Sequence, residues 1–175
     1  MLKLDPPDHS RIRKLVQYGF TNRYITSLEP EIKKVIEDCL DKIHNQDTFD
    51  LIDDLAKPLP AIVIAKMMGL PDQDLDKFQA WSEDLLLGVG GIGTTKEDIK
   101  KSGDAYEALI TYFEKIILSR KDSPGDDFIG KLIQAEEEGD KLNIKEMYGT
   151  CLLLLIAGHE TCLLYTSPSP RDGLL

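Results

Sequence analysis

The chain has 175 residues, 42% hydrophobic and 30% charged, with a formal net charge of −10. That is long enough for one domain with a real core and too apolar for a disordered chain. The acidic balance argues against nucleic-acid binding, the longest apolar run (Cys151–Ala157) is far too short to span a bilayer, and Met1–Leu4 lacks the apolar core of a signal peptide.

Helical spacing dominates from the start. Asp5 is placed to cap a helix with Pro6 at its first position and Asp8 in its first turn. Ile12, Leu15, Val16 and Phe20 then repeat on one face. A second helix is expected after Thr26, with Ile32, Val35, Ile36, Cys39, Leu40 and Ile43 as its apolar stripe and charge on its outer face. Phe49–Ala56 is ambiguous between a short strand and a turn. Pro60–Met68 predicts a buried helix stopped by Gly69. Pro71-Asp72 opens another through about Leu87, carrying Phe78 and Trp81.

Gly88-Val89-Gly90-Gly91-Ile92-Gly93 is a flexible break. It is not a phosphate cradle, because no strand precedes it and no Lys-Ser/Thr pair closes it. Ile99–Arg120 predicts a long amphipathic helix with Ala105, Leu109, Tyr112, Phe113 and Ile116 inward. Ser123-Pro124-Gly125 ends it, Asp126 or Asp127 caps a short helix through Ala135, and Glu136–Lys141 is an acidic turn around Gly139. Asn143 caps the last helix, with Glu146 completing a capping-box-like pair. No strand alternation is evident beyond Phe49–Ile52, and no internal repeat. The expected fold class is all-α, or mainly α. Cys39, Cys151 and Cys162 show no zinc or disulfide spacing, which fits a reducing cytoplasm.

Two places could carry chemistry. His9 and Arg13 are four apart on the first helix and point the same way. An arginine fork beside an imidazole donor makes a clamp for a carboxylate. The alternative is a surface histidine beside a basic cluster with Arg11 and Lys14. The second place is Ala157-Gly158-His159-Glu160-Thr161, at the end of the apolar run Leu152–Ile156. Ala157 and Gly158 carry no bulk, so something large could approach the backbone there. A desolvated Glu160 resists ionisation, and a Glu160–Thr161 pair could pass protons into a dry pocket. The alternative is a frayed helix end reaching water. His159-Glu160 is similar to the start of a zinc-protease motif, but position 163 is Leu, so the second histidine is absent.

After Thr161 the helical register is expected to break. The string Cys162-Leu163-Leu164-Tyr165-Thr166-Ser167-Pro168-Ser169-Pro170-Arg171-Asp172 matches one translated frame of a transposase-type sequencing adapter. Residues 1–161 are therefore expected to form one partial domain, and residues 162–175 to be read-through rather than native sequence.

These motifs together resemble a known family. Asp5-Pro6-Pro7-Asp8-His9-Ser10-Arg11-Ile12-Arg13-Lys14-Leu15-Val16 is similar to the C-helix signature of bacterial cytochrome P-450 haem-thiolate monooxygenases. Pro58-Leu59-Pro60 through Met68-Gly69-Leu70-Pro71 resembles their E-helix region. Pro124-Gly125-Asp126-Asp127 resembles the segment ahead of the H helix, and Ala157–Thr161 the oxygen-binding groove of the I helix. The matches occur in family order.

The resemblance implies a partial cytochrome P-450 fold, an internal fragment spanning helices C to I and truncated before the haem-thiolate loop. It implies that His9 and Arg13 bind haem propionates, that Ala157 and Gly158 line the distal face of haem b, and that Glu160 and Thr161 steer protons into the oxygen-binding groove. His159 is expected to face away, and Leu85–Ile99 to form a lid over the substrate channel. The implied reaction inserts one atom of O2 into a small organic substrate, with electrons from NAD(P)H arriving through a ferredoxin-type redox partner. Neither nucleic acid nor membrane is implied as a partner.

Departures matter as well. The family's Glu-x-x-Arg helix and Phe-x-x-Gly cysteine loop are absent, so no residue of this chain is assigned as an iron ligand. The fragment itself is expected to be inactive. The alternative function is a catalytically dead helical interaction module on the same scaffold.

Overall fold

Apolar residues recurring every three or four positions produce helix after helix. The computed structural model describes residues 4–88, 94–137 and 139–166. Eight α-helices appear among them: α1 Asp8–Gln17, α2 Asn22–Ser27, α3 Glu29–Ile43, α4 Pro58–Met67, α5 Leu75–Leu87, α6 Lys96–Ser119, α7 Phe128–Gln134 and α8 Ile144–Thr166. Single 3-10 turns lie at Tyr18–Phe20 and Asp72–Asp74, and a π-helical turn at Ile52–Ala56. A two-residue hairpin, β1 Glu136–Glu137 with β2 Asp140–Lys141, pairs Glu136 with Lys141 around Gly139, whose φ is +82°.

The least amphipathic helices lie deepest. α4 has apolar residues on all sides and packs against α3, α5 and α8. α5 lies along α6, and Phe78 meets Phe113 edge to face with ring centroids 6.2 Å apart. Leu15, Ala65, Met68, Phe78, Leu109, Phe113, Phe128, Leu132, Cys151 and Leu155 join one core. The mainly α expectation matches this architecture.

Several local expectations needed correction. α1 starts at Asp8, not Pro6; Asp5 contributes its carbonyl to the His9 N–H at 3.1 Å, and no side chain caps the helix. Phe20 is exposed rather than inward, although its ring lies 5.1 Å from that of Phe128. Leu40 is exposed as well. α2 was not expected, because six residues with one buried side chain, Tyr24, give no periodicity to detect. Thr21 caps it by accepting from the Tyr24 N–H.

The ambiguous Phe49–Ala56 stretch is helical, not a strand. The Asp50 carboxylate accepts from the N–H groups of Ile52 and Asp53 at 2.9 and 3.0 Å, which starts a turn. α4 begins two residues before Pro60, since proline is tolerated in a first turn. Gly69 does end it, at φ +68°. Of the glycine-rich break, 89–93 lies outside the described residues, and so does the centre of the expected lid. α8 does not break at Cys162 but runs on to Thr166. Residues 167–175 lie outside the described residues.

Candidate functional site

α1 presents its basic residues in two directions. His9 and Arg13 share one side, half-buried and exposed respectively. Among the described residues, neither side chain has a hydrogen-bond or ion-pair partner. Arg11, two positions from each, leaves the helix roughly 200° round from both. Its Nη1 donates to Asp140 Oδ2 at 3.1 Å, and its Nη2 donates to Glu146 Oε1. The Glu146 hydrogen bond is the main cause that raises the Arg11 pKa above its ordinary value. The expected surface cluster of Arg11, Arg13 and Lys14 is therefore split. One arginine is locked between carboxylates, and the other is open to an anion from outside the described residues.

α8 is divided in a different way. Cys151, Leu155 and His159 are 0, 1 and 1% exposed and recur every four residues, so they form its inner stripe. Ala157 and Thr161, also four apart, are exposed on another face. Gly158 lies between these faces. A Cβ added there would come within 2.7 Å of Ile64 Cδ1, so the missing side chain lets α4 pack closely. Thr161 is not a frayed end, because α8 continues to Thr166. Glu160 belongs to α8 by its backbone, and its side chain lies outside what the structure describes.

Neighbouring turns of α1 and α8, rather than the candidate residues themselves, line a common space. An open cavity of about 590 Å³ lies between α1, α6 and α8, lined by Ile12, Tyr106, Gly149, Leu152, Leu153 and Ile156 among others. The sequence marks Arg11 only as a member of a basic cluster and does not mark Tyr106. Tyr106 gave no local signal, and the partners of Arg11 lie far along the chain. α8 enters this region through a reciprocal cap: the Asn143 N–H donates to Glu146 Oε2 at 2.8 Å, and the Glu146 N–H donates to Asn143 Oδ1 at 3.0 Å.

A flat, mainly apolar cofactor with carboxylate arms suits this chemistry. Arg13 is an exposed cation with no ion-pair partner among the described residues, and Ala157 and Thr161 leave an open, low-bulk face on an apolar helix. A thiolate ligand is not on offer from Cys39 or Cys151. Both are buried, and desolvation raises both thiols, that of Cys151 to about 12.

No protein-family model matches the chain. Curated relatives do. A cytochrome P-450 of Bacillus subtilis (strain 168) is 39% identical over 161 residues, covering 92% of this chain and 38% of the relative. Cytochrome P-450 107B1 of Saccharopolyspora erythraea is 38% identical over 161 residues, with the same coverage of each. Among solved structures, CYP109E1 from Bacillus megaterium in complex with corticosterone superposes with a TM-score of 0.82 at 37% identity, covering 90% of this chain and 42% of that one. The chain thus spans about two fifths of the length of the relatives it matches. Among the described residues, no helix is long and apolar enough to cross a membrane.

Proposed function

The chain belongs to the cytochrome P-450 family, and on that premise we propose that it carries the distal part of the haem site of a monooxygenase. The whole enzyme inserts one atom of O2 into a small organic substrate and takes electrons from NAD(P)H through a ferredoxin-type partner. Bound haem b supplies the redox-active iron at which oxygen is activated. Everything else here falls to this chain's own side chains. His9 and Arg13 hold the propionates by charge-assisted hydrogen bonds. Ala157 keeps α8 free of bulk along the porphyrin, and Gly158 lets α8 sit close against α4 behind that face. Thr161, with Glu160 beside it in sequence, passes protons into the groove.

One observation carries this reading above all. Ala157 and Thr161 form an exposed, small-residue face partway along a helix whose opposite stripe is fully buried. A soluble helix end would explain Thr161 alone, but not an open alanine one turn earlier. The open cavity beside Ile12, Leu153 and Ile156 is apolar enough for a compact hydrophobic substrate. We further propose that the axial cysteine comes from outside these 175 residues, so the segment alone is inactive. Residues 162–175 are proposed to be read-through. Sequencing the source locus across the Thr161 codon tests this.

The decisive experiment compares two proteins. The natural reading frame that carries this segment should, when reduced under carbon monoxide, give the red-shifted Soret band of thiolate-ligated haem. The 175-residue chain given haem should not. A full reading frame that binds no haem would overturn the proposal, and a thiolate spectrum from the short chain would overturn the claim about the axial cysteine.

A further inference from the structure

Arg11 sits between the two haem-clamp residues in sequence but takes no part in the clamp. It points away from His9 and Arg13 and reaches the start of α8 and the β2 turn. Glu146 is the junction. One of its oxygens closes the Asn143 cap of α8 and the other accepts from Arg11. Arg11 and Glu146 are only 33% and 16% exposed at their side chains, so this ion pair is partly shielded from water. The same fork reaches Asp140, so one guanidinium pairs with both carboxylates and offsets one of their two charges.

Two consequences meet at the cofactor. The fork is a direct polar tie between α1, which bears the clamp, and α8, which bears the Ala157–Thr161 face. It also occupies two acidic side chains next to α1. Without it, two carboxylates would stand unpaired where α1 meets the start of α8. We propose that Arg11 is a positioning residue for haem retention: it holds α1, with its propionate clamp, against the start of α8. This rests on the haem reading above.

The test uses the full-length, haem-loaded enzyme that carries this segment. The measurement is the rate at which haem transfers to excess apomyoglobin, taken well below the melting temperature. Arg11→Gln, Arg13→Gln and the double variant are compared with wild type. Arg11→Gln should speed haem loss about tenfold, the scale of one lost charge-assisted hydrogen bond. The double variant should lose haem by clearly less than the product of the two single effects, because Arg11 acts through the clamp and only His9 of the clamp remains.

A merely structural Arg11 would instead give effects that multiply, and that result overturns the inference. So does an Arg11→Gln rate within twofold of wild type. If Arg11→Gln does not fold, Glu146→Gln is measured against Arg13→Gln by the same two criteria. A wild-type enzyme that takes up no haem overturns the haem reading and this inference with it. A wild type that holds haem while Arg11→Gln changes nothing overturns this inference alone.

Discussion

Thr161 stands on the open side of α8, two residues past the fully buried His159. In the proposed site its hydroxyl serves the bound oxygen, and His9 and Arg13 serve the propionates. In the full-length enzyme, Thr161→Ala should therefore leave haem per protein nearly unchanged and reduce product per reduced cofactor. A positioned proton-transfer group contributes a factor of about 10² or more, so the loss should be plain, with hydrogen peroxide released instead. Full coupling in Thr161→Ala would leave Thr161 as an ordinary surface residue. Gly158 answers to a different neighbour. Its absent Cβ makes room for Ile64 Cδ1, the mobile end of that side chain. Gly158→Ala should cost about 1 kcal/mol of stability through overpacking. Ile64→Val removes the clashing methyl, so in that background Gly158→Ala should cost almost nothing. Equal cost in both backgrounds would mean that the glycine is not there for helix packing.

The C-terminal end of α4 shows how elements are tied. Its last carbonyls have no partners within the helix. Tyr24 Oη donates to the Met67 carbonyl, and Arg120, just after α6, donates to those of Met68 and Gly69. Arg120 Nη1 also bonds Asp127 Oδ2 at 2.8 Å, while Asp127 Oδ1 caps α7 through the Gly130 N–H at 2.9 Å. A Cβ at Gly69 would collide with Asp127, so the left-handed turn and the close approach both require glycine. One arginine thus joins α4, α6 and α7. Arg120→Met should destabilise the folded chain by about 3 kcal/mol, because it leaves carbonyls and a carboxylate without their donor. Denaturant unfolding measures this, and a change under about 0.5 kcal/mol, ordinary for a surface site, would contradict it. The sequence signals that Asp126 or Asp127 caps a helix and that Gly69 stops one. It does not signal that Arg120 connects them, since Gly69 lies 51 residues away.

At the scale of the molecule, burial sets the alkaline limit. Cys151 is sealed in the core and its thiol is pushed up by desolvation, from an ordinary 9.0 to about 12. Tyr24 is raised from 10.0 to about 12 for the same reason. Both groups can ionise in the unfolded chain at a pH where the folded chain keeps them neutral. Their contribution to stability is therefore complete below pH 9 and is lost progressively as pH rises toward 12. The denaturation midpoint should hold steady to about pH 8.5 and then fall. Cys151→Ala should make that fall shallower, and an identical slope in wild type and variant would remove Cys151 as a cause. At neutral pH a thiol-reactive probe should label Cys162 in the folded chain but reach Cys39 and Cys151 only after unfolding.

Most of the helices are legible without the fold, because long amphipathic stripes such as Val35–Cys39–Ile43 and Ala105–Leu109–Phe113 are local and periodic. Asn143 with Glu146 fixed the start of α8 for the same local reason. The sequence also marks which residues could carry chemistry, through motifs that resemble a family to which the chain belongs. Tertiary structure decided which way those residues face. α8 is apolar almost all round, so periodicity could not say that Cys151, Leu155 and His159 point inward while Ala157 and Thr161 point out. Arg11 and Arg13 look alike in the sequence, two positions apart. Only folding brings Glu146, 135 residues away, to one of them and leaves the other open. A long-range ion pair depends on where distant helices end, and no local pattern in either segment records that.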